Sequence, residues 1–165
     1  MLPLDKIPLL RLMEIANRLD FFEQFSLDER KSLLDEKARC YICKKGHHLQ
    51  KEGEYDNNFF LILSGEVSIK RAKDKTPLGR VHPGEFIGEG SFIANKPRST
   101  SARAETDVIL LCLDRERLSR LSVKIREKVK DAIISGMAKR IVKLNDVNAR
   151  HQKSQETAQE KAASG

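Results

Sequence analysis

The chain has 165 residues, 33% of them charged and 39% apolar, with no tryptophan, three cysteines and a formal net charge of +7. That length supports one domain with its own core. The longest unbroken apolar run, Val108–Leu113 (VILLCL), is far short of the roughly 18–20 residues a membrane span needs, and three cysteines make no disulfide framework. The N-terminus carries an early acid, Asp5, and no small-residue cleavage site, so the reading is a cytoplasmic protein without a signal peptide. The positive charge is concentrated. Residues 115–153 hold 12 Lys/Arg against 4 Asp/Glu, a net of +8, and the remainder sums to −1.

In chain order, residues 4–19 place Leu9, Leu12, Ile15, Ala16 and Leu19 at amphipathic helical spacing. Residues 1–20 are therefore assigned as an N-terminal helix. Ser26 with Glu29 three residues later forms a capping box that opens a second helix over Leu27–Glu36. From about residue 39 the texture becomes short runs, ARCYICKK, HHLQKEG, FFLILSG, EVSIKR, PLGRVH and VILLCLD, separated by Gly, Pro or Asp-Asn-Asn. Runs of this kind predict an antiparallel sandwich or barrel of about eight strands. Cys40-x-x-Cys43 followed by His47-His48 resembles a zinc spacing, but side chains three apart on a strand point to opposite faces. Those cysteines read as strand residues, and no metal or other cofactor is expected.

Residues 84–103 read GEFIGEGSFIANKPRSTSAR. Gly88 and Gly90 allow close backbone approach, and Ser91–Asn95 is long enough for about one helical turn. The N-terminus of such a turn presents unpaired N–H groups and partial positive charge to an anion. Arg98, held after Pro97, adds a charge-assisted donor, and Ser99 adds a hydroxyl. Glu89 is unsuited to a phosphate but suited to accept from a sugar hydroxyl beside it. An anion with a neighbouring hydroxyl means a nucleotide, and one Arg with one short turn suits a single phosphate. The plain alternative is that Glu89 and Arg98 simply pair with each other.

After Asp114 the period becomes helical again. A short helix over DRERLSRL precedes a longer one from about 124 to 150, in which Ile134, Met137, Ile141, Leu144 and Asn148 follow a coiled-coil seam. Residues 123–150 are assigned as a dimerisation and lid helix. Residues 151–165 have no apolar face and are assigned as a disordered tail. The basic helix also admits a nucleic-acid reading, with Lys139, Arg140 and Lys143 on phosphates; on the dimer reading they flank the seam and stay solvated.

FIGEGSFIANKPRSTSARA resembles the phosphate-binding cassette of cyclic nucleotide-binding domains. Gly88, Glu89, Ser91, Pro97, Arg98, Ser99, Ser101 and Ala104 stand at matching places, and the flanks FFEQFSLDERKSLL and KEGEYDNNFFLILSGEVSI are similar as well. The resemblance covers about residues 20–122, giving a nucleotide-binding domain over 21–122. It implies a mainly β fold with flanking helices: an antiparallel β-roll, or double-stranded β-helix jelly roll, with N-terminal helices and a long C-terminal helix. It also implies a non-enzymatic receptor for cyclic AMP or cyclic GMP. The carboxylate of Glu89 would take the ribose 2′-OH, and Arg98 with backbone amides near Gly90 and Ser91 would take the cyclic phosphate. Gly90 and Thr100 depart from the pattern, which usually has a larger apolar residue and Ala there. ISGMAKRIVKLND is similar to the dimerisation helix of catabolite activator-type members, placing Leu144-Asn145 against the base. Thr100, Ile69 and Leu78 are the other candidates for base contact. The partners expected are a cyclic nucleotide, a second copy and an unidentified effector protein; membrane binding is not expected. About 15 residues follow the long helix, too few for the helix-turn-helix of the activator, so a DNA regulator is disfavoured. A β-roll that serves only as a protein-interaction module is the remaining alternative.

Overall fold

The computed structural model describes residues 1–3, 7–35 and 39–164. Among the described residues nine strands form two antiparallel sheets: β1 (Leu2–Pro3), β2 (Arg39–Cys43), β3 (His48–Gln50), β4 (Phe59–Ser64), β5 (Val67–Lys70), β6 (Gly79–Val81), β7 (Phe86–Ile87), β8 (Ser101–Ala104) and β9 (Val108–Leu113). The five-stranded sheet runs β1-β2-β9-β4-β7 and the four-stranded sheet β3-β8-β5-β6. The α-helices described beside them are α1 (Leu9–Ala16), α2 (Leu27–Asp35), α3 (Glu89–Ala94), α4 (Arg115–Arg120) and α5 (Val123–Ala163). This is the mainly β fold with a long C-terminal helix that the sequence leads one to expect.

The five-stranded sheet is covered on both faces, which explains its unbroken apolar runs. In β4, Phe59, Leu61 and Leu63 face the helices while Phe60 and Ile62 face the interior of the roll. In β9, Leu111 and Leu113 face the helices and Val108, Leu110 and Cys112 the interior. Cys40 packs into the helix-side core and Cys43 into the interior one, so the two thiols lie on opposite faces. Burial pushes the Cys40 thiol up to about 11. Fully buried rings such as Phe22, Phe59 and Phe86 each contribute about 1.5–3 kcal/mol by leaving water.

The capping box forms as read. Ser26 N–H donates to Glu29 Oε2 at 2.9 Å, and Glu29 N–H donates to Ser26 Oγ at 3.2 Å. The same carboxylate receives Lys128 Nζ at 2.5 Å and lies 3.3 Å from Lys124 Nζ, tying the start of α2 to α5. Helix α5 docks through Ile125, Val129 and Ile133, one ridge at i, i+4, i+8, into the same core as α1 and α2.

Two helices differ in extent from the sequence reading. Helix α1 starts at Leu9, because Pro8 disfavours helical backbone in the residue before it, and it ends at Ala16. Of the helix expected over 1–20, Leu2–Pro3 is instead the edge strand β1, paired with Tyr41 and Ile42 of β2, and residues 4–6 lie outside the described residues. Helix α5 does not stop near 150 but continues to Ala163, so residues 151–163 are helical rather than a disordered tail. A missing apolar face reports on burial, not on helicity. Gln, Glu, Ala and Lys are good helix formers, and extending an existing helix avoids the cost of nucleation.

Candidate functional site

A cleft of about 770 Å³ opens between the four-stranded sheet, α3, the loop after it, and α5. It brings together ten of the residues singled out in the sequence: Gly88, Glu89, Gly90 and Ser91 from the start of α3, Pro97, Arg98, Ser99 and Thr100 from the following loop, and Ile69 and Leu78 from the sheet side. Asn145 is not among its lining residues and is exposed. The face of α5 turned to the cleft is Arg140, Lys143, Leu144 and Val147, at i, i+3, i+4 and i+7. One residue beyond Leu144 is a rotation of about 100°, which turns Asn145 away within a single chain.

Arg98 is only 2% exposed. Its backbone is pinned by Arg98 N–H to Glu54 O at 2.9 Å and by Gly53 N–H to Arg98 O at 2.8 Å. Its guanidinium is clamped by Asp56, with Nε donating to Oδ2 at 2.9 Å and Nη2 donating to Oδ1, while Nη2 also donates to Asn58 O at 2.7 Å. Asp56 is itself held by Asn58 N–H at 2.9 Å, a local Asx turn within the Asp-Asn-Asn stretch. The Phe60 ring stands under the guanidinium, 5.5 Å from its centroid. Nη1 remains buried without a hydrogen-bond partner. A charged donor enclosed in this way, with its other nitrogens satisfied, is suited to an anion entering the cleft.

Gly88 explains how α3 comes so close. Its φ is +87°, and a Cβ there would lie 2.2 Å from Arg98 Nη1 and 2.6 Å from Asn58 O. Only glycine allows this backbone to lie against the guanidinium. The helix that follows has its first N–H groups, from Glu89, Gly90 and Ser91, without intrahelical acceptors, and Phe92 N–H closes back onto Gly88 O at 3.0 Å. At the other end of α3, Arg115 donates from Nε to Phe92 O at 3.0 Å and from Nη2 to Ile93 O at 3.1 Å, capping its last carbonyls.

Glu89 and Arg98 do not pair with each other. Glu89 Oε1 instead accepts from Arg140 Nη1 at 2.6 Å, and Arg140 Nη2 donates to Phe86 O at 2.5 Å with its guanidinium over the Phe86 ring. Arg140 is therefore not the solvated flank of a seam; it bolts α5 to the mouth of the cleft. The approach depends on Gly136, where a Cβ would lie 2.3 Å from Phe86 Cε1. Local patterning also missed Asp56, Gln50 and Val147 at the cleft or behind it, and it read Lys143, which lines the cleft, only as a nucleic-acid contact or a solvated flank. The MAKR stretch at 137–140 was the available signal for Arg140, and the Asp-Asn-Asn turn for Asp56. Among the described residues no group of three or more His, Cys, Asp or Glu could hold a metal, and no helix is long and apolar enough to cross a membrane.

The comparisons point the same way. A family model for the cyclic nucleotide-binding domain matches residues 42–124, half of the chain. The crystal structure of a cyclic nucleotide-binding domain from Methylobacillus flagellatus superimposes with a TM-score of 0.73 at 30% identity, covering 88% of this chain and 84% of that one. A CRP-like cAMP-activated global transcriptional regulator of Mycobacterium tuberculosis is 30% identical over 108 residues, covering 62% of this chain and 46% of that protein. A cAMP-dependent protein kinase regulatory subunit of Emericella nidulans is 33% identical over 76 residues, covering 46% of this chain and 18% of that protein. The chain thus spans less than half the length of these two curated relatives. A buried guanidinium with one open nitrogen, a glycine-opened helical turn against it and the matched span have one common meaning: the chain belongs to the cyclic nucleotide-binding domain family.

Proposed function

We propose that this chain is a receptor for a 3′,5′-cyclic purine nucleotide, a regulatory module rather than an enzyme, acting in the cytoplasm. The observation that carries the reading is the buried, partnerless Nη1 of Arg98 beside the start of α3, both at the cleft. The cyclic phosphate would sit there, against Arg98, the amides of Gly90 and Ser91, and the Ser99 hydroxyl. Glu89 takes the ribose 2′-OH. Its Oε1 is engaged by Arg140, so the second carboxylate oxygen is the one offered to the ligand. Ile69 and Leu78 supply the apolar wall for the base, with Thr100 beside them.

Helix α5 is the output element in this reading. Its exposed stripe of Ile134, Met137, Ile141 and Leu144 is the seam for a second copy, and Leu144 also lines the cleft. Ligand against Glu89 changes the contact that holds Arg140, and the helix shifts with it. An effector protein would read that shift. Base contact by Asn145 remains a proposal for the dimer alone, through the partner copy. A thermal-shift panel of cyclic AMP, cyclic GMP, cyclic dinucleotides and AMP tests the reading: a true ligand at 100 times its Kd adds about 2.7 kcal/mol. No shift with either cyclic mononucleotide overturns it. Mass by light scattering, with and without ligand, tests the dimer, and a monomer in both ends the seam argument.

A further inference from the structure

One buried polar group in the cleft has no role in holding phosphate or ribose. Gln50, at the end of β3, is 5% exposed and lines the cleft. Its Nε2 donates to Thr100 O at 3.0 Å. This contact orients the amide, because turning it over would set two carbonyl oxygens against each other. Oε1 is left buried without a hydrogen-bond partner. Such an acceptor is unfavourable unless a donor reaches it, and nearly all buried polar side-chain atoms have one.

The register of the four-stranded sheet sets the surroundings of Gln50. Ala102 of β8 pairs with Gln50 on one side and with Ile69 of β5 on the other. Directly opposed residues across antiparallel strands share a face, so Gln50, Ala102 and Ile69 form one row on the cleft side of the sheet. Ala102 is fully buried and small, leaving Gln50 and Ile69 as the walls of that row. An apolar residue in place of Gln50 would complete the Ile69 wall with no orphaned acceptor.

We propose that Gln50 is a specificity determinant whose Oε1 accepts a hydrogen bond from an N–H of the nucleotide base. The inference rests on the cyclic-nucleotide reading above. A 3′,5′-cyclic nucleotide offers donors only at the ribose 2′-OH and on the base; its ionised phosphate only accepts. The proposed function already gives the 2′-OH to Glu89, which leaves the base. Adenine supplies an exocyclic amine, and guanine supplies an amine and a ring N–H. Unsubstituted purine supplies neither.

Calorimetric titration of the full chain and of Gln50→Leu with cyclic AMP, cyclic GMP and the 3′,5′-cyclic phosphate of unsubstituted purine riboside tests this. The parent should bind at least one of the first two about 10-fold tighter than the unsubstituted analogue, the scale of one hydrogen bond to a buried acceptor. Gln50→Leu should bring that ratio to within about two-fold without weakening the analogue, by removing the acceptor alone. The nucleotide whose advantage collapses names the base that is read. Equal binding of all three by the parent, or an advantage that survives Gln50→Leu, overturns the role of Gln50 and leaves the receptor reading standing. Binding of none overturns both. Should Gln50→Leu fail to fold, Gln50→Met and the parent's own ratios decide the question.

Discussion

At the α3 end of the cleft, the Arg98 side chain is 1% exposed and is clamped by both oxygens of Asp56. At the α5 end, the Arg140 side chain is 36% exposed and holds Glu89 through one oxygen. Both are Arg–carboxylate pairs between distant parts of the chain, yet they are built for different tasks. The first is surrounded by backbone contacts and cannot open without leaving a buried charge unpaired. The second joins a half-exposed side chain on a mostly solvated helix to a carboxylate at the cleft mouth, so it can rearrange at little cost. On the proposed function the first is the rigid seat for the anion and the second the contact that ligand alters.

The most damaging change is expected at the rigid end. Arg98→Ala removes the charged donor that lines the cleft and should weaken cyclic nucleotide binding by about 2–5 kcal/mol, roughly 30-fold to several thousand-fold. Titration calorimetry on the folded variant checks it, and unchanged affinity would refute the role of Arg98. It should also lower stability in urea, because Asp56 loses its partner.

Glu89→Gln acts where the two ends meet. It removes a charged acceptor and should weaken a cyclic ribonucleotide by about 1–3 kcal/mol. The 2′-deoxy analogue should bind the parent less well and respond much less to the substitution. Equal binding of the two analogues by the parent removes Glu89 from the ribose.

Gly136→Ala probes the adjustable end without touching the cleft. The added methyl collides with Phe86, which is 2% exposed and packed 5.0 Å from Phe59, so α5 rather than the ring must give way. Overpacking of about 1–3 kcal/mol works against about 1 kcal/mol of improved helix propensity. The expected result is a small net loss of stability together with faster hydrogen exchange along α5 near Arg140. Unaltered exchange there would show that Gly136 does not set the helix position.

The smallest effect is on pH dependence. Lys128, first, and the Ser26 N–H hold the Glu29 carboxyl down at about 2, from an ordinary 4.5. A depressed carboxylate stabilises the fold above its unfolded value, so this contribution is complete above pH 4.5 and disappears as pH falls toward 2. Glu29→Gln should flatten the stability profile in that window. A profile that keeps its slope would mean that other carboxylates dominate it.

The sequence by itself determined β2 to β6 and β9, because their apolar runs and glycine turns are local, but not β1, which fell within the expected N-terminal helix, nor the short β7 and β8. It also singled out Gly88, Glu89, Pro97, Arg98 and Ser99 as a group, because they lie within a dozen residues, and the fold brings them to one cleft. Capping chemistry at Ser26 and Glu29 was equally legible, being a matter of three-residue spacing. The partners were not. Arg98 meets Asp56 across 42 positions and Arg140 meets Glu89 across 51, and no local pattern links residues that far apart. The end of α5 was misjudged because solvation was taken for disorder. Which face of α5 meets the cleft depends on the rotation set by Ile125, Val129 and Ile133 in the core, and that rotation turned Arg140 in and Asn145 out. Gln50 read only as a strand residue until the fold placed it opposite Ala102, because an unsatisfied acceptor exists only once its surroundings are buried.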